Sequence, residues 1–356
     1  MNILQLSKSL HRGGVEDHIL TLSKGLVKRG NTVFVASDNL CERKAFDSCG
    51  IDVIQIDFLK KNPLAVIRNV RKLKKAICEN HIDVIHCHWR ICAFYIEWMR
   101  KLRMTNVPYI WTNHSLKIGS GKLLRLNTFI GSKAVAVSTE CKRMLMQRYG
   151  IAEGEIELVY NGISVQKYVK NPEEYNRKVR EKYHIEEAFV ITMLCRLEPI
   201  KNHTCMLRAL NCLANQGGLK NVKCIFTGTG ADAYKEQLVR KAGELGVGEN
   251  VIFSGQVDPV DILSITDVMV LPSDFEGFPV SVLEAFAMKV PVIRTRTGGY
   301  KDVGEYSLDM DFNNHEQLAE HIRKIMTKQI FLDEMVEQGY QFIQNCCTDE
   351  VMTQKI

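Results

Sequence analysis

No stretch of this 356-residue sequence stays apolar for the ~18 residues that a membrane-spanning helix needs. The opening residues, MNILQLS, run straight into a strand-like segment, so no signal peptide is expected ahead of it. Twelve cysteines are present, yet they form no CxxC pair and no paired spacing. Several sit inside apolar runs, as Cys195 does in ITMLC and Cys224 in VKCIF. They read as reduced, buried small hydrophobes of a cytoplasmic protein. His86-Cys87-His88 with Cys92 is a poor metal site, because strand alternation turns Cys87 away from both histidines and no second ligand pair stands nearby. There is no short-period repeat and no low-complexity tract. Basic segments lack the interleaved aromatics and the module signatures of a nucleic-acid binder, so nucleic acid is not expected as a partner.

What is present is ordinary in bulk. Hydrophobic residues make up 46% and charged residues 25%, as in soluble globular proteins. The net charge of +6 suits an anionic substrate or membrane surface without requiring either. The length exceeds one comfortable hydrophobic core, so two domains are expected.

Each half follows one rhythm. NILQLS, the glycine turn HRGG, the amphipathic helix EDHILTLSKGLVKRG and the strand TVFVAS open the first. DVIQIDF, a helix from Pro63 to Glu79, DVIHCHW, YIWTNHS and KAVAVS continue it. A polar segment from Val165 to Glu187 reads as helix or linker. The rhythm then restarts with FVITMLCRL, a helix from His203, VKCIFTGTG, a helix through YKEQLVRKAGEL, NVIFSGQV, DVMVLPS and PVIRTRT. Short β-rich runs alternating with helices predict parallel sheets covered on both faces, hence an α/β chain of two Rossmann-like domains. Ligands in such sheets bind beyond the carboxyl ends of the strands, and a cleft between the domains is the expected site.

The chemistry concentrates at strand ends. Gly13 and Gly14, between the first strand and helix, let backbone N–H groups approach a phosphate. The pattern is not GxGxxG, and a plain βα loop is the competing reading. In CRLEPIKNH, Arg196 and Lys201 follow a strand and could neutralise a diphosphate, Arg as a fork and Lys as a point charge. Solvated surface cations are the alternative. Gly228, in GTG, permits close approach of backbone to a ligand. The stretch DFEGFPVSVLEAF is more specific. Glu276 precedes a helix expected to begin at Pro279, and Glu284 projects from its second turn among apolar neighbours. The free N–H groups of Phe278, Val280 and Ser281, on either side of Pro279, would point at a ligand together with the positive end of the helix dipole. A buried carboxylate needs donors, and ribose hydroxyls are suitable. A dipole-favoured acid and a buried ion pair would explain the same two residues without a ligand.

EGFPVSVLE is an E-x7-E motif. With CRLEPIKN, the GG turn and the last GG of RTRTGG, the chain resembles the retaining glycosyltransferases of the large GT4 family, with the GT-B fold, over nearly its whole length. The resemblance implies two Rossmann-like domains facing each other across a cleft. Residues 1–168 would bind the acceptor and 169–339 the nucleotide-sugar, with a helix at about 340–356 packing back on the first domain. It implies Arg196 and Lys201 at the diphosphate, Glu284 at the ribose, Glu276 at the donor sugar, and Phe278 to Val280, with Gly277, beside sugar and phosphate. Gly14 would approach the diphosphate, His114 the sugar and acceptor, and His86 and His88 would line the same cleft. Asp302 stands where the family commonly has Glu, and GEYSLDMDFNNHEQLA lacks the usual Gly-Leu-Leu-Val strand.

No DxD motif lies in a suitable loop, so metal-independent transfer without a cofactor is expected, with retention implied by the family. Same-face substitution and a covalent intermediate both stay open. For the acceptor, AVIRNVRKLKKAI carries Arg68, Arg71, Lys72, Lys74 and Lys75, preceded by Lys60 and Lys61, and WMRKLRM and KIGSGKLLR add charge. A basic amphipathic helix suits an anionic membrane surface; a core helix with a solvated basic face suits the same pattern. The expectation is a cytoplasmic enzyme, peripheral on the inner face of the plasma membrane, that extends a saccharide or polyprenyl-linked saccharide in capsule, O-antigen or other surface-polysaccharide assembly. A nucleotide-sugar-binding protein without transferase activity and a nucleotide-sugar epimerase are the competing readings.

Overall fold

The computed structural model describes residues 1–10, 13–38, 43–60, 62–116, 121 and 125–356. His11 and Arg12 of the glycine turn, Lys61 and most of KIGSGKLLR lie outside the described residues. The chain divides into two compact units, Met1–Ile163 with Thr348–Ile356, and Ser164–Cys347.

In the first unit the order is β1 (Asn2–Leu6), α1 (Gly14–Lys28), β2 (Thr32–Ser37), α2 (Arg43–Asp47), β3 (Asp52–Gln55), α3 (Pro63–Glu79), β4 (Val84–Cys87), α4 (Arg90–Lys101), β5 (Tyr109–Asn113), β6 (Ala134–Ala136), α5 (Thr139–Tyr149) and β7 (Ile156–Leu158). The strands form one sheet in the order β3-β2-β1-β4-β5-β6-β7, and every pairing is parallel. Leu4 and Leu6 of β1 and Val35 and Ala36 of β2 are fully buried. Burial runs without alternation from Ile3 to Leu6 and from Val33 to Ser37, which marks strands covered on both faces. Helix α3 begins where the sequence predicts it: Pro63 occupies the first helical position, and the Asn62 side chain accepts from the Ala65 amide at 2.8 Å.

The second unit contains α6 (Glu173–Tyr183), β8 (Phe189–Met193), α7 (His203–Asn215), β9 (Val222–Thr227), α8 (Asp232–Glu244), β10 (Val251–Gly255), α9 (Pro259–Leu263), β11 (Val268–Leu271), α10 (Val280–Ala287), β12 (Val292–Thr295), α11 (Tyr300–Val303), β13 (Leu308–Met310), α12 (His315–Met326) and α13 (Asp333–Cys346). Its sheet, β10-β9-β8-β11-β12-β13, is also parallel throughout. Two doubly wound α/β units are therefore present, as the alternating rhythm predicts.

Two local expectations change. The edge near GEYSLDMD keeps a strand, but of three residues only, β13 on β12. Helix α13, which follows Phe331, packs on α10 within the second unit, because its Ile343 is fully buried there and Gly339 abuts Phe286. Only from Thr348 does the chain rejoin the first unit. There α14 (Asp349–Lys355) lies against α1. A Cβ on Gly25 would overlap the Thr353 side chain, and one on Gly162 would overlap the backbone at Thr348, so those two glycines allow the return segment to pack closely.

Candidate active site

In the second unit the carboxyl ends of β8, β9, β11 and β12 bring the motif loops into contact. Leucine-197 (Leu197) bridges to Gly230, and its amide donates to Thr229 O at 3.0 Å. Gly228 adopts φ +74°, and a side chain there would press on the Cys195 carbonyl and Arg196 Cα. The glycines of GTG thus shape the loop that carries Arg196. The Asp274 amide donates to Ile200 O at 2.9 Å, tying DFEGFP to LEPIK.

The consequence is an ion pair. Lys201 Nζ lies 2.7 Å from Glu276 Oε1, and the two side chains retain only 17% and 9% exposure. Burial opposes the Lys201 charge, yet Glu276 overrides it and raises the pKa above the usual lysine value. Two groups expected to take different parts of a ligand are therefore already partners. Arg196 is exposed and pairs with Glu198 at 3.1 Å.

Helix α10 starts at Val280, one residue later than the sequence suggests. Pro279 is its cap, at φ −71° and ψ 116°, because it keeps an extended backbone while its carbonyl already accepts from the Val282 amide at 3.2 Å. Phe278 is buried. Gly299 takes φ +76° against its ring, and a Cβ on Gly298 would overlap the carbonyls of Glu276 and Gly277. The second GG turn thus buttresses the glutamate loop. Arg294, fully buried on β12, donates from Nη2 to Gly298 O at 2.8 Å and fixes that turn from behind. Glu284 projects from the second turn of α10, but it is half-buried, and the Tyr168 hydroxyl donates to its Oε1 at 2.6 Å. It therefore has a neutral protein donor, neither the ligand hydroxyl nor the ion-pair partner that the sequence suggests.

In the first unit Gly13 is extended, with φ and ψ both 174°, and caps α1, whose first residue is Gly14. Neither glycine uses left-handed backbone. Glu16 and Asp17 occupy the first turn, where they already complement the helix dipole. One turn into α1, His18 meets His86, His88 and His114. His86 and His88 stand at the end of β4, and His114 follows β5. Ring centroids lie 4.7 Å apart for His18–His114, 4.2 Å for His86–His88 and 5.4 Å for the stacked His88–His114.

The hydrogen bonds assign protons. His18 Nδ1–H donates to Asn161 Oδ1 at 3.0 Å, and His88 Nε2–H donates to Gln5 Oε1 at 2.8 Å. His88 Nδ1 then accepts from His114 Nε2 at 3.2 Å, and His86 Nε2 meets the Thr112 hydroxyl at 2.6 Å. Burial lowers all four pKa values, to about 4 for His18 and about 3 for His86, and well below the ordinary histidine value for His88 and His114. All four rings are neutral at pH 7. One nitrogen from each of His18, His88 and His114 lies within 4.8 Å of the others, so among the described residues these three could hold a metal, rather than the His86-Cys87-His88 run. Cys87 is buried with Cys92 beside it, and both thiols are pushed up by burial.

His18, Asn161, Gln5, Tyr168 and Arg294 escaped the sequence reading. His18 had a signal: it lies one turn into the helix that follows the first strand, on the face that meets the sheet. The others make their contacts over long sequence separations and carry no local pattern.

Residues 170–342 match the family model described as "Glycosyl transferases group 1", and residues 12–167 match "Glycosyltransferase Family 4". The capsular polysaccharide biosynthesis glycosyltransferase CapM of Staphylococcus aureus is 23% identical, over 95% of this chain and 94% of its own length. The putative glycosyltransferase EpsF of Bacillus subtilis is 24% identical, over 82% and 78%. The crystal structure of Anabaena Alr3699/HepE in complex with UDP-glucose superposes with a TM-score of 0.87 at 19% identity, over 100% of this chain and 98% of that one. A glycosyltransferase structure from Rickettsia africae gives 0.83 at 22% identity, over 99% and 96%.

Proposed function

We infer that this chain, a glycosyltransferase of GT-B architecture, moves a sugar from a UDP- or GDP-sugar to a saccharide or lipid-linked saccharide with retention of configuration, as a GT4-type hexosyltransferase of surface-polysaccharide assembly. The observation that carries this reading is the buried Lys201–Glu276 pair beside the N-terminus of α10.

Departure of a nucleoside diphosphate from an anomeric carbon builds negative charge on phosphate and positive charge on the sugar. The Lys201 ammonium has three donors. One goes to Glu276, and the others answer the diphosphate in a site fixed before reaction. Arg196 supplies a second cation by exchanging its exposed Glu198 contact for phosphate. Glu276 accepts from donor-sugar hydroxyls, flanked by the backbone of Gly277 to Val280. Glu284, oriented by Tyr168, accepts from the ribose. The loop glycines at 13, 14 and 228 keep backbone rather than side chains next to the phosphates. His114 would meet sugar and acceptor, with buried His86 and His88 lining the site behind it, since both nitrogens of His88 are bonded to Gln5 and His114. Neutral imidazoles suit that place, since they bind hydroxyls without adding positive charge beside a developing oxocarbenium.

The leaving group is stabilised by side chains and amides, and no metal cofactor is needed. Asp309 and Asp311, the one D-x-D pair at a strand end in the second unit, are both engaged by Arg296, which supports that reading. The name of the capsular relative and the basic α3 favour a lipid-linked surface saccharide as acceptor, reached on the inner membrane face. A thermal-shift panel with UDP, GDP, TDP and ADP on wild type and Glu284→Ala tests the donor site. One nucleotide should stabilise the wild type by roughly 2.7 kcal/mol at about 100-fold over its dissociation constant, and the variant should not respond. No response to any of the four, followed by no donor turnover with acceptor present, would overturn the reading.

A further inference from the structure

Helices α3 and α4 of the first unit flank a cavity of about 410 Å³, within the range of small-molecule sites. Val66 and Val70 line it from α3, and Phe94 and Trp98 from α4, with Leu102 just past the end of α4 and Phe58 beside them. No charged side chain lines it. The core-facing stripe of α3 is Ala65, Asn69, Leu73, Ala76 and Ile77, so Val66 and Val70 belong to a second apolar strip alongside it. Among the described residues Val66 and Val70 are only half-buried. Leu64 and Ile67 on α3 are 76% and 49% exposed, and Trp98 and Leu102 at the end of α4 are 43% and 65% exposed. Large apolar side chains gathered at the mouth of an apolar slot mark a binding surface, whereas the same residues scattered singly would not.

The rim is cationic. Helix α3 carries Arg68, Arg71, Lys72, Lys74 and Lys75 against Glu79 alone. Arg71 lies one turn after Ile67, and Lys74 one turn after Val70, so both stand next to the apolar strip. Neither forms an ion pair among the described residues. On the opposite flank, Lys60 is held by Asp57 at 3.0 Å and Lys72 by the Gln55 carbonyl at 3.0 Å. From the other wall, Lys101 Nζ stands 5.3 Å from the Trp98 ring.

An apolar slot with available cations at its lip fits one ligand chemistry, a hydrocarbon chain bearing an anionic phosphate. A free saccharide would leave most of its hydroxyls unpaired against such walls, and a nucleotide is too polar for them. We propose that this slot holds the hydrocarbon chain of the phosphate-linked lipid acceptor, with Arg71 and Lys74 meeting its phosphate. The inference rests on the lipid-linked reading of the acceptor and gives that acceptor a site. Burying methylenes supplies the affinity, and the cations set the register of the chain.

The test uses the full chain and farnesyl phosphate below its micelle concentration, with binding read by equilibrium dialysis. Saturable micromolar binding is expected, with inorganic phosphate unable to compete. Leu102→Glu, at an exposed position, should weaken binding at least tenfold, and the pair Arg71→Glu with Lys74→Glu should do so too. The nucleotide-induced thermal shift should remain intact in both, which shows that each variant is folded. Absence of saturable binding in wild type, or equal binding by Leu102→Glu, overturns the proposal. A transfer assay separates the two readings. If a prenyl-diphosphate-linked saccharide is glycosylated with the same KM by wild type and Leu102→Glu, the slot assignment fails and the lipid-acceptor reading stands. If only free saccharides are glycosylated, the lipid-acceptor reading falls and takes the slot's role with it.

Discussion

Lys201 and Glu276, 75 positions apart in sequence, meet at 2.7 Å with little solvent around either side chain. The pair is at once a structural tie between two loops and the charge centre of the proposed donor site.

A buried pair is costly to break from one side. Lys201→Ala should destabilise the second unit by roughly 3–5 kcal/mol, because Glu276 is left charged and poorly solvated. Glu276→Gln should act in the same direction. The double replacement Lys201→Ala with Glu276→Gln should be less destabilising than the sum of the two single replacements. Urea unfolding of the four proteins measures this coupling. Additive effects would remove the pair from the account of stability, and all three variants should lose transfer.

Tyr168 holds Glu284 through a hydrogen bond to an ionised acceptor, an interaction worth about 1.5–3 kcal/mol. Tyr168→Phe should therefore weaken nucleotide binding by about tenfold or more and raise the donor KM more than it lowers kcat. Nucleotide titration by calorimetry checks the first, and steady-state kinetics the second. An unchanged donor KM would mean that Glu284 is oriented without Tyr168.

The four buried histidines make the first unit acid-sensitive. Their folded pKa values lie below the unfolded value of 6.5, so the unfolded chain binds more protons once pH drops below about 6.5. Stability is complete above that pH and falls as pH drops towards 3–4. At pH 5, the shift of His18 alone corresponds to a loss of about 2 kcal/mol. Denaturant midpoints at pH 7.5, 6.0 and 5.0 should decline steadily, and His18→Gln should flatten the decline. A midpoint independent of pH would refute the neutral assignment.

Removing metal and adding it should have opposite outcomes. Transfer should survive excess EDTA unchanged. Zinc should inhibit, because His18, His88 and His114 present neutral imidazole nitrogens within 4.8 Å of one another, and Asn161 and Gln5 already hold the outer N–H groups of His18 and His88. His18→Ala should relieve zinc inhibition. Loss of activity with EDTA, restored by Mg²⁺, would overturn the metal-independent reading.

The alternation of strands and helices was legible because it is local. NILQL, VMVL and VIRT are apolar runs of strand length, and Asn62-Pro63 is a helix start in any context. Short elements without such runs were missed. IEL became β7 and LDM became β13 only through the strands beside them. The E-x7-E spacing was equally legible, as a single loop and the helix it leads into carry it. The partners of its glutamates were not. Lys201, Tyr168 and Gly298 approach through tertiary contacts that no sequence period encodes, and Arg294, mid-strand in an apolar run, is accommodated because its guanidinium reaches a carbonyl four residues on.

The return of the chain at Thr348 makes the second unit a guest within the first. Ile163 and Thr348 are bridged, and the Asp349 amide donates to Ile163 O at 2.9 Å, so departure and return lie side by side. On the ribosome this imposes an order. Residues 164–347 hold every element of their own unit before α14 emerges, and can fold while synthesis continues. The first unit, although begun earlier, stays unfinished until 349–355 arrive to cover α1. The earliest part of the polypeptide is thus the last to mature, and through that interval Leu22 and Leu26 lack the Met352 side chain that completes their cluster.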